Sequence, residues 1–179
     1  VCMPCKAGKY LLKTEATTES ACRLCSFGSY QPKNGSSECD ACPLGLVCDK
    51  EGMAEGAPCP VGKYGVINKQ DISMCMGCGL GEYQDIKGQA KCKLCSKGRY
   101  NSDSVNATHA GVCDPCDVGT YAPSDGSATC IDCPPGTYCP SAETSEYTEC
   151  QAGYYAPLAG STKCDPCPAG SFQQTPGSA

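Results

Sequence analysis

The sequence predicts a small disulfide-rich fold: an elongated, rod-like tandem array of short β-hairpin and coil modules with little or no helix. Three observations predict it. Twenty of 179 residues are cysteine. A Cys-x-x-Gly-x-aromatic motif recurs along the whole chain. Apolar residues nowhere follow a helical period, whereas short runs are bounded by Gly, Asn, Asp and Ser, as strands and turns require.

The cysteine content exceeds the roughly 8–10 % that marks a disulfide scaffold. Gly and Pro contribute 21 and 14 residues, Trp is absent and Phe occurs twice, so the 40 % hydrophobic fraction rests heavily on cysteine. Too few large apolar side chains remain for a conventional core, and covalent staples must substitute. Stable disulfides place the chain in an oxidising compartment, extracellular or at the cell surface. The sequons Asn34-Gly35-Ser36 and Asn106-Ala107-Thr108 agree with secretion and make Asn34 and Asn106 candidate glycan acceptors. A net charge of −5 with scattered Lys and Arg argues against a nucleic-acid partner. No apolar run suggests membrane insertion in this segment. The chain opens at Val1-Cys2, already inside the pattern, and so reads as an internal piece of something longer.

The motif begins at Cys5, Cys25, Cys59, Cys78, Cys95, Cys116, Cys133, Cys150 and Cys167. Its aromatic positions are Tyr10, Tyr30, Tyr64, Tyr83, Tyr100, Tyr121, Tyr138, Tyr155 and Phe172. Cys42-Pro-Leu-Gly45-Leu-Val47 is a tenth copy with Val in place of the ring. These rings are the expected repeat core, each lying across its disulfide or the next module's backbone. The motif glycine is expected to adopt a conformation, or allow an approach, that a Cβ would forbid. Each repeat is then expected to contact only its neighbours.

A second period lies above the first. The cysteines at 2, 5, 22, 25, 39, 42, 48, 59, 75 and 78 recur at 92, 95, 113, 116, 130, 133, 139, 150, 164 and 167. The irregular run 39-42-48-59 returns unchanged in length as 130-133-139-150. The chain therefore divides into two ten-cysteine superrepeats, 1–90 and 91–179, each of five modules. Gly-Ser-Ala179 joined to Val1-Cys-Met-Pro-Cys5 would closely match Gly126-Ser-Ala-Thr-Cys130-Ile-Asp-Cys133. The expectation is a longer array, with self-association or neighbouring repeats in a fibre as partners.

Spacing favours a ladder in which the second cysteine of each Cys-x-x-Cys closes onto the first of the next: Cys5–Cys22, Cys25–Cys39, Cys78–Cys92, Cys95–Cys113 and Cys116–Cys130. The variant modules would give Cys42–Cys48, Cys59–Cys75, Cys133–Cys139 and Cys150–Cys164. Cys2 and Cys167 would find partners in neighbouring repeats. The rival scheme bridges within each Cys-x-x-Cys and adds Cys48–Cys59 and Cys139–Cys150, which consumes all twenty but leaves the modules unstapled; sequence alone does not decide between them. Cys-x-x-Cys is also a zinc signature, yet His109 is the single histidine and four cysteines stand outside any pair. Redox chemistry lacks a βαβ frame, and Asp114, Asp117, Asp125 and Asp132 form no calcium-loop pattern. No metal, cofactor or catalytic residue is expected, and the chain is not read as an enzyme.

Cys133-Pro-Pro-Gly136-Thr-Tyr138-Cys139 and Cys167-Pro-Ala-Gly170-Ser-Phe172 are the closest matches to a known unit. The pattern resembles the ephrin-receptor-like, EGF-like cysteine-rich repeat, itself similar to the first module of tumour-necrosis-factor-receptor domains. The resemblance spans the chain and implies the ladder pairing, an elongated all-β and coil fold, and no catalytic residues. Proteins with such repeats include receptor ectodomains, matrix proteins and the surface and mastigoneme proteins of protists and algae. Val47 and the extra cysteines at 48 and 139 depart from the unit. Two functions follow as expectations: a structural component of an extracellular filament, hair, wall or matrix, or the stalk or ligand-binding ectodomain of a receptor. Constant spacing favours the first.

Overall fold

The computed structural model of the chain describes residues 2–13, 15–68, 73–105 and 107–178. We number modules 1 to 10 from the motif cysteines 5, 25, 42, 59, 78, 95, 116, 133, 150 and 167. Nine two-stranded antiparallel hairpins occupy the first nine modules among the described residues. Lys9–Tyr10 pairs with Arg23–Leu24, Ser29–Tyr30 with Asp40–Ala41, and Leu46–Val47 with Ala57–Pro58. Lys63–Ile67 pairs with Ser73–Gly77, Glu82–Tyr83 with Lys93–Leu94, and Arg99–Tyr100 with Asp114–Pro115. Thr120–Tyr121 pairs with Ile131–Asp132, Thr137–Tyr138 with Thr148–Glu149, and Tyr154–Tyr155 with Asp165–Pro166. In each, the first strand ends at or runs past the motif's aromatic position, and the second lies just before the next motif cysteine. Every strand of a two-stranded ribbon is an edge, which is why Pro58, Pro115 and Pro166 can sit in strands. Among the described residues, helix is confined to the single 3-10 turns Glu19–Ala21 and Ala110–Val112.

The chain forms two compact units, one of residues 1–78 with 84–92, the other of 79–83 with 93–179. The division runs through module 5, so the compact units and the sequence superrepeats partition the chain differently.

The core of each unit is sulfur and backbone. Motif cysteines 5, 25, 42, 59 and 78 are buried in the first unit, and 95, 116, 133 and 150 in the second. The tyrosines at the motif position are half-buried flanks of this core rather than its centre. Phe172 corrects the expectation outright: it is 79 % exposed, in a segment with no strand pairing among the described residues.

In seven modules the side chain one residue after the aromatic position is buried instead. Gln31, Gln84, Asn101, Ala122 and Ala156 occupy that place, as do Cys48 and Cys139. Their environment explains the amides. Gln84 Nε2 donates to the Lys91 carbonyl at 2.7 Å, while its Oε1 accepts from the Ile86 N–H at 3.0 Å. Gln31 repeats this with Glu38 and Lys33. Asn101 reaches back instead, donating to the Glu82 carbonyl and accepting from the Asp103 N–H. Each of these modules is thus filled by one side chain with a donor and an acceptor, and a buried polar group so satisfied is stable. Gln84→Ala is expected to destabilise the oxidised chain by about 2 kcal/mol, since it orphans two backbone groups. Gln84→Met, of similar volume, should cost nearly as much if hydrogen bonding rather than bulk is responsible. Denaturant titration of the two variants checks this.

Candidate functional site

The candidate site is the junction that repeats along each unit. Three backbone ties build it. The motif glycine N–H donates to the carbonyl of the next module's buried position: Gly8 to Gln31, Gly62 to Gln84, Gly98 to Ala122 and Gly136 to Ala156, at 2.7–2.9 Å. The buried residue's own N–H donates to the next module's turn, as in Gln31 to Met53 and Ala122 to Thr144. The turn's N–H then bonds back to the preceding motif cysteine: Gly35 to Cys5, Gly126 to Cys95 and Gly160 to Cys133.

A further approach skips a module. A Cβ on Gly8 would fall closer than 3.0 Å to the Gly52 carbonyl, two modules on. Gly45 stands in the same relation to Gly88, Gly81 to Gly126, Gly98 to Glu143, Gly119 to Gly160 and Gly136 to Gly177. The expectation that a repeat touches only its immediate neighbours is therefore corrected. Main-chain atoms at a glycine are thin enough for the next-but-one turn to reach them. Modules 4 and 6 carry longer loops between their paired cysteines, with sequence separations of 16 and 18. In module 4 the hydroxyl of the buried Ser73 accepts the Cys48 N–H at 2.8 Å.

Nine disulfides staple these modules. They join Cys5–Cys22, Cys25–Cys39, Cys42–Cys48, Cys59–Cys75 and Cys78–Cys92. The rest are Cys95–Cys113, Cys116–Cys130, Cys133–Cys139 and Cys150–Cys164. The structure also explains the irregular runs. In modules 3 and 8 the cysteine normally three residues before the next motif is replaced by Gly56 and Tyr147. The lost partner is supplied by Cys48 and Cys139, moved into the buried position, so the bridge turns inward without changing module length. Cys2, exposed, and Cys167, half-buried, remain thiols.

Two turns break the glycine rule. Glu15 adopts φ +66° and Glu143 φ +60° where their counterparts are glycines, and the Glu143 carboxylate meets Arg99, two modules back. Arg99 Nη2 donates to Glu143 Oε2 at 3.0 Å, Nε bonds the other oxygen, and Nη1 reaches the Cys113 carbonyl at 2.9 Å. Hydrogen bonding to Arg99 holds the Glu143 carboxyl below its ordinary value, and the same bond raises Arg99. The folded state thus favours ionised Glu143. The stabilisation is complete above the unfolded carboxylate's titration and is lost as pH falls through the lowered folded value. The pair is partly solvated, so the effect is modest. Glu143→Gln should be less stable than the parent at pH 7, and the gap should close on acidification, as thermal melts across the carboxylate range will show.

Asn34 is exposed on the module 2 turn. Its Oδ1 accepts the Ala7 N–H at 2.8 Å, and Asp125 does the same for Lys97 at 3.0 Å. The Asn34 Nδ2 is left with no bond among the described residues. Asn106 lies outside the described residues. His109 is exposed at the start of the second 3-10 turn. Among the described residues no group of three or more His, Cys, Asp or Glu could hold a metal, and no helix is long and apolar enough to cross a membrane.

Sequence reading found the cysteines, tyrosines and glycines but missed the buried position one step past the ring. The signal was present. Across ten modules that position reads Leu11, Gln31, Cys48, Gly65, Gln84, Asn101, Ala122, Cys139, Ala156 and Gln173, never a charge.

The sequence model of the family described as tyrosine-protein kinase ephrin type A/B receptor-like matches this chain four times, at residues 13–59, 65–110, 104–150 and 136–179. No curated protein matches it.

Proposed function

This chain belongs to the ephrin type A/B receptor-like family, an extracellular disulfide-rich repeat, and from that premise we propose that it is a structural segment of an extracellular filament, hair (mastigoneme-like), wall or matrix. The observation that carries the reading is the junction. It is made from main-chain atoms and glycines at fixed spacing, so each module positions the next by geometry rather than by side-chain identity. Identical units joined at a fixed rotation generate fibres. The chain's partners in this reading are copies of the same repeat, with Cys2 and Cys167 bridging to neighbouring repeats. Asn34 carries a glycan, because its acceptor oxygen is engaged in the junction while its amide nitrogen is free. In this reading the chain is a scaffold and not an enzyme. Electron microscopy of the native material tests the reading. Uniform fibres with an axial repeat support it, and isolated monomeric stalks overturn it. Glycopeptide mapping of the same preparation checks Asn34.

The second reading is a receptor stalk or ligand-binding ectodomain, favoured by the family's own description. A membrane span or signalling domain in the full-length protein would select it.

A further inference from the structure

The second superrepeat departs from the first at one surface. Tyr121 and Pro123 of module 7 have their counterparts 91 residues earlier in Tyr30 and Pro32, and Glu146 of module 8 has its counterpart in Glu55. Tyr147 does not: the first copy carries Gly56, where a Cβ would press closer than 3.0 Å on Leu46. In the second copy the residue at the Leu46 position is the smaller Thr137, folded back by its hydroxyl onto the Pro134 carbonyl at 2.7 Å. That exchange makes room for a large side chain. Tyr147 fills it, 43 % exposed, with its ring perpendicular to that of Tyr121 and centroids 5.3 Å apart. The two rings, Pro123, Ser145 and Glu146 line an open cavity of about 370 Å³.

Packing admits Tyr147 without requiring it, because the first copy closes the same module with glycine. Two perpendicular aromatic rings with an acidic residue, Glu146, in the same lining have a chemical preference of their own. Ring faces attract a cation through their quadrupole, and Glu146 adds a full negative charge. The chain already shows the contact internally, where Lys93 Nζ lies 5.9 Å from the centroid of the Tyr83 ring. We infer that the Tyr121–Tyr147 corner is a docking site for a basic side chain, lysine or arginine, presented by a protein partner. A filament could use it for a lateral contact and a receptor for a ligand, so the inference does not depend on which reading of the array holds.

The test is a titration of the oxidised chain with N-acetyl-lysine methylamide, followed by the ring-proton resonances of Tyr121 and Tyr147. The uncharged norleucine analogue serves as control. Saturable shifts with lysine and none with norleucine are expected. Tyr147→Gly, which restores the residue of the first copy, should weaken binding about tenfold or more, and Glu146→Gln several-fold. Tyr147→Leu keeps the bulk and removes the π face, so it should bind as poorly as Tyr147→Gly. An unchanged disulfide map certifies that each variant is folded. Equal response to norleucine overturns the inference, as does binding indifferent to Tyr147→Gly. A site that answers only to a neutral oligosaccharide or a proline-rich peptide overturns it too.

Discussion

Gly119→Ala should unfold or severely destabilise the second compact unit, whereas Gly153→Ala, at nearly the same backbone angle, should be tolerated. The two glycines have φ of +84° and +85°. An alanine forced into that left-handed region costs roughly 1–2 kcal/mol at either site. The surroundings differ. A Cβ at Gly153 meets nothing within 4 Å, while one at Gly119 would fall closer than 3.0 Å to the Gly160 carbonyl, which is backbone and cannot rotate away. Gly119→Ala must therefore push module 9 off module 7, disturbing the Gly160 tie to Cys133 as well. A loss of about 4 kcal/mol or more is expected there, because overpacking is added to the backbone strain. Denaturant titration of the two variants decides it. Equal losses would mean that the close approach between next-but-one modules contributes nothing.

Reduction should have the largest effect of all. Each bridge closes a loop of 6 to 18 residues, and such loops are worth roughly 2–3 kcal/mol apiece in the chain-entropy account. Nine together come to about 20 kcal/mol, beyond the roughly 5–15 kcal/mol by which a domain is stable. The reduced, alkylated chain is expected to be unfolded and rapidly cleaved by protease, and the oxidised chain resistant. Removing one bridge, Cys116→Ala with Cys130→Ala, should cost about 3 kcal/mol and leave the other modules stapled. Persistence of protease resistance after full reduction would show that backbone ties alone suffice.

Much of this architecture was legible in the residues, and for a physical reason. Disulfide geometry demands particular chain lengths, so cysteine spacing records which residues can meet. Turn glycines with positive φ leave a mark because few other residues accept that conformation. The buried Gln84 and Asn101 were hidden by the opposite logic, because an amide normally signals surface. Only its bonds to backbone carbonyl and N–H groups let it serve as core. Glu143 was hidden too: a carboxylate in a turn looks solvated, and nothing local announces an arginine 44 residues earlier. Phe172 misled, since a motif position was read as a guarantee of burial. The candidate corner at Tyr147 was visible only as a missing cysteine.

The joints between modules are written in main-chain oxygen, amide and glycine, and this sets what inheritance may alter. Mutation can rewrite nearly every outward side chain without moving a joint, whereas inserting one residue in a short turn would misplace the carbonyl that the next-but-one module needs. Such a chain diverges quickly in letters and slowly in rhythm. New surface chemistry can be tried module by module at little risk to the scaffold.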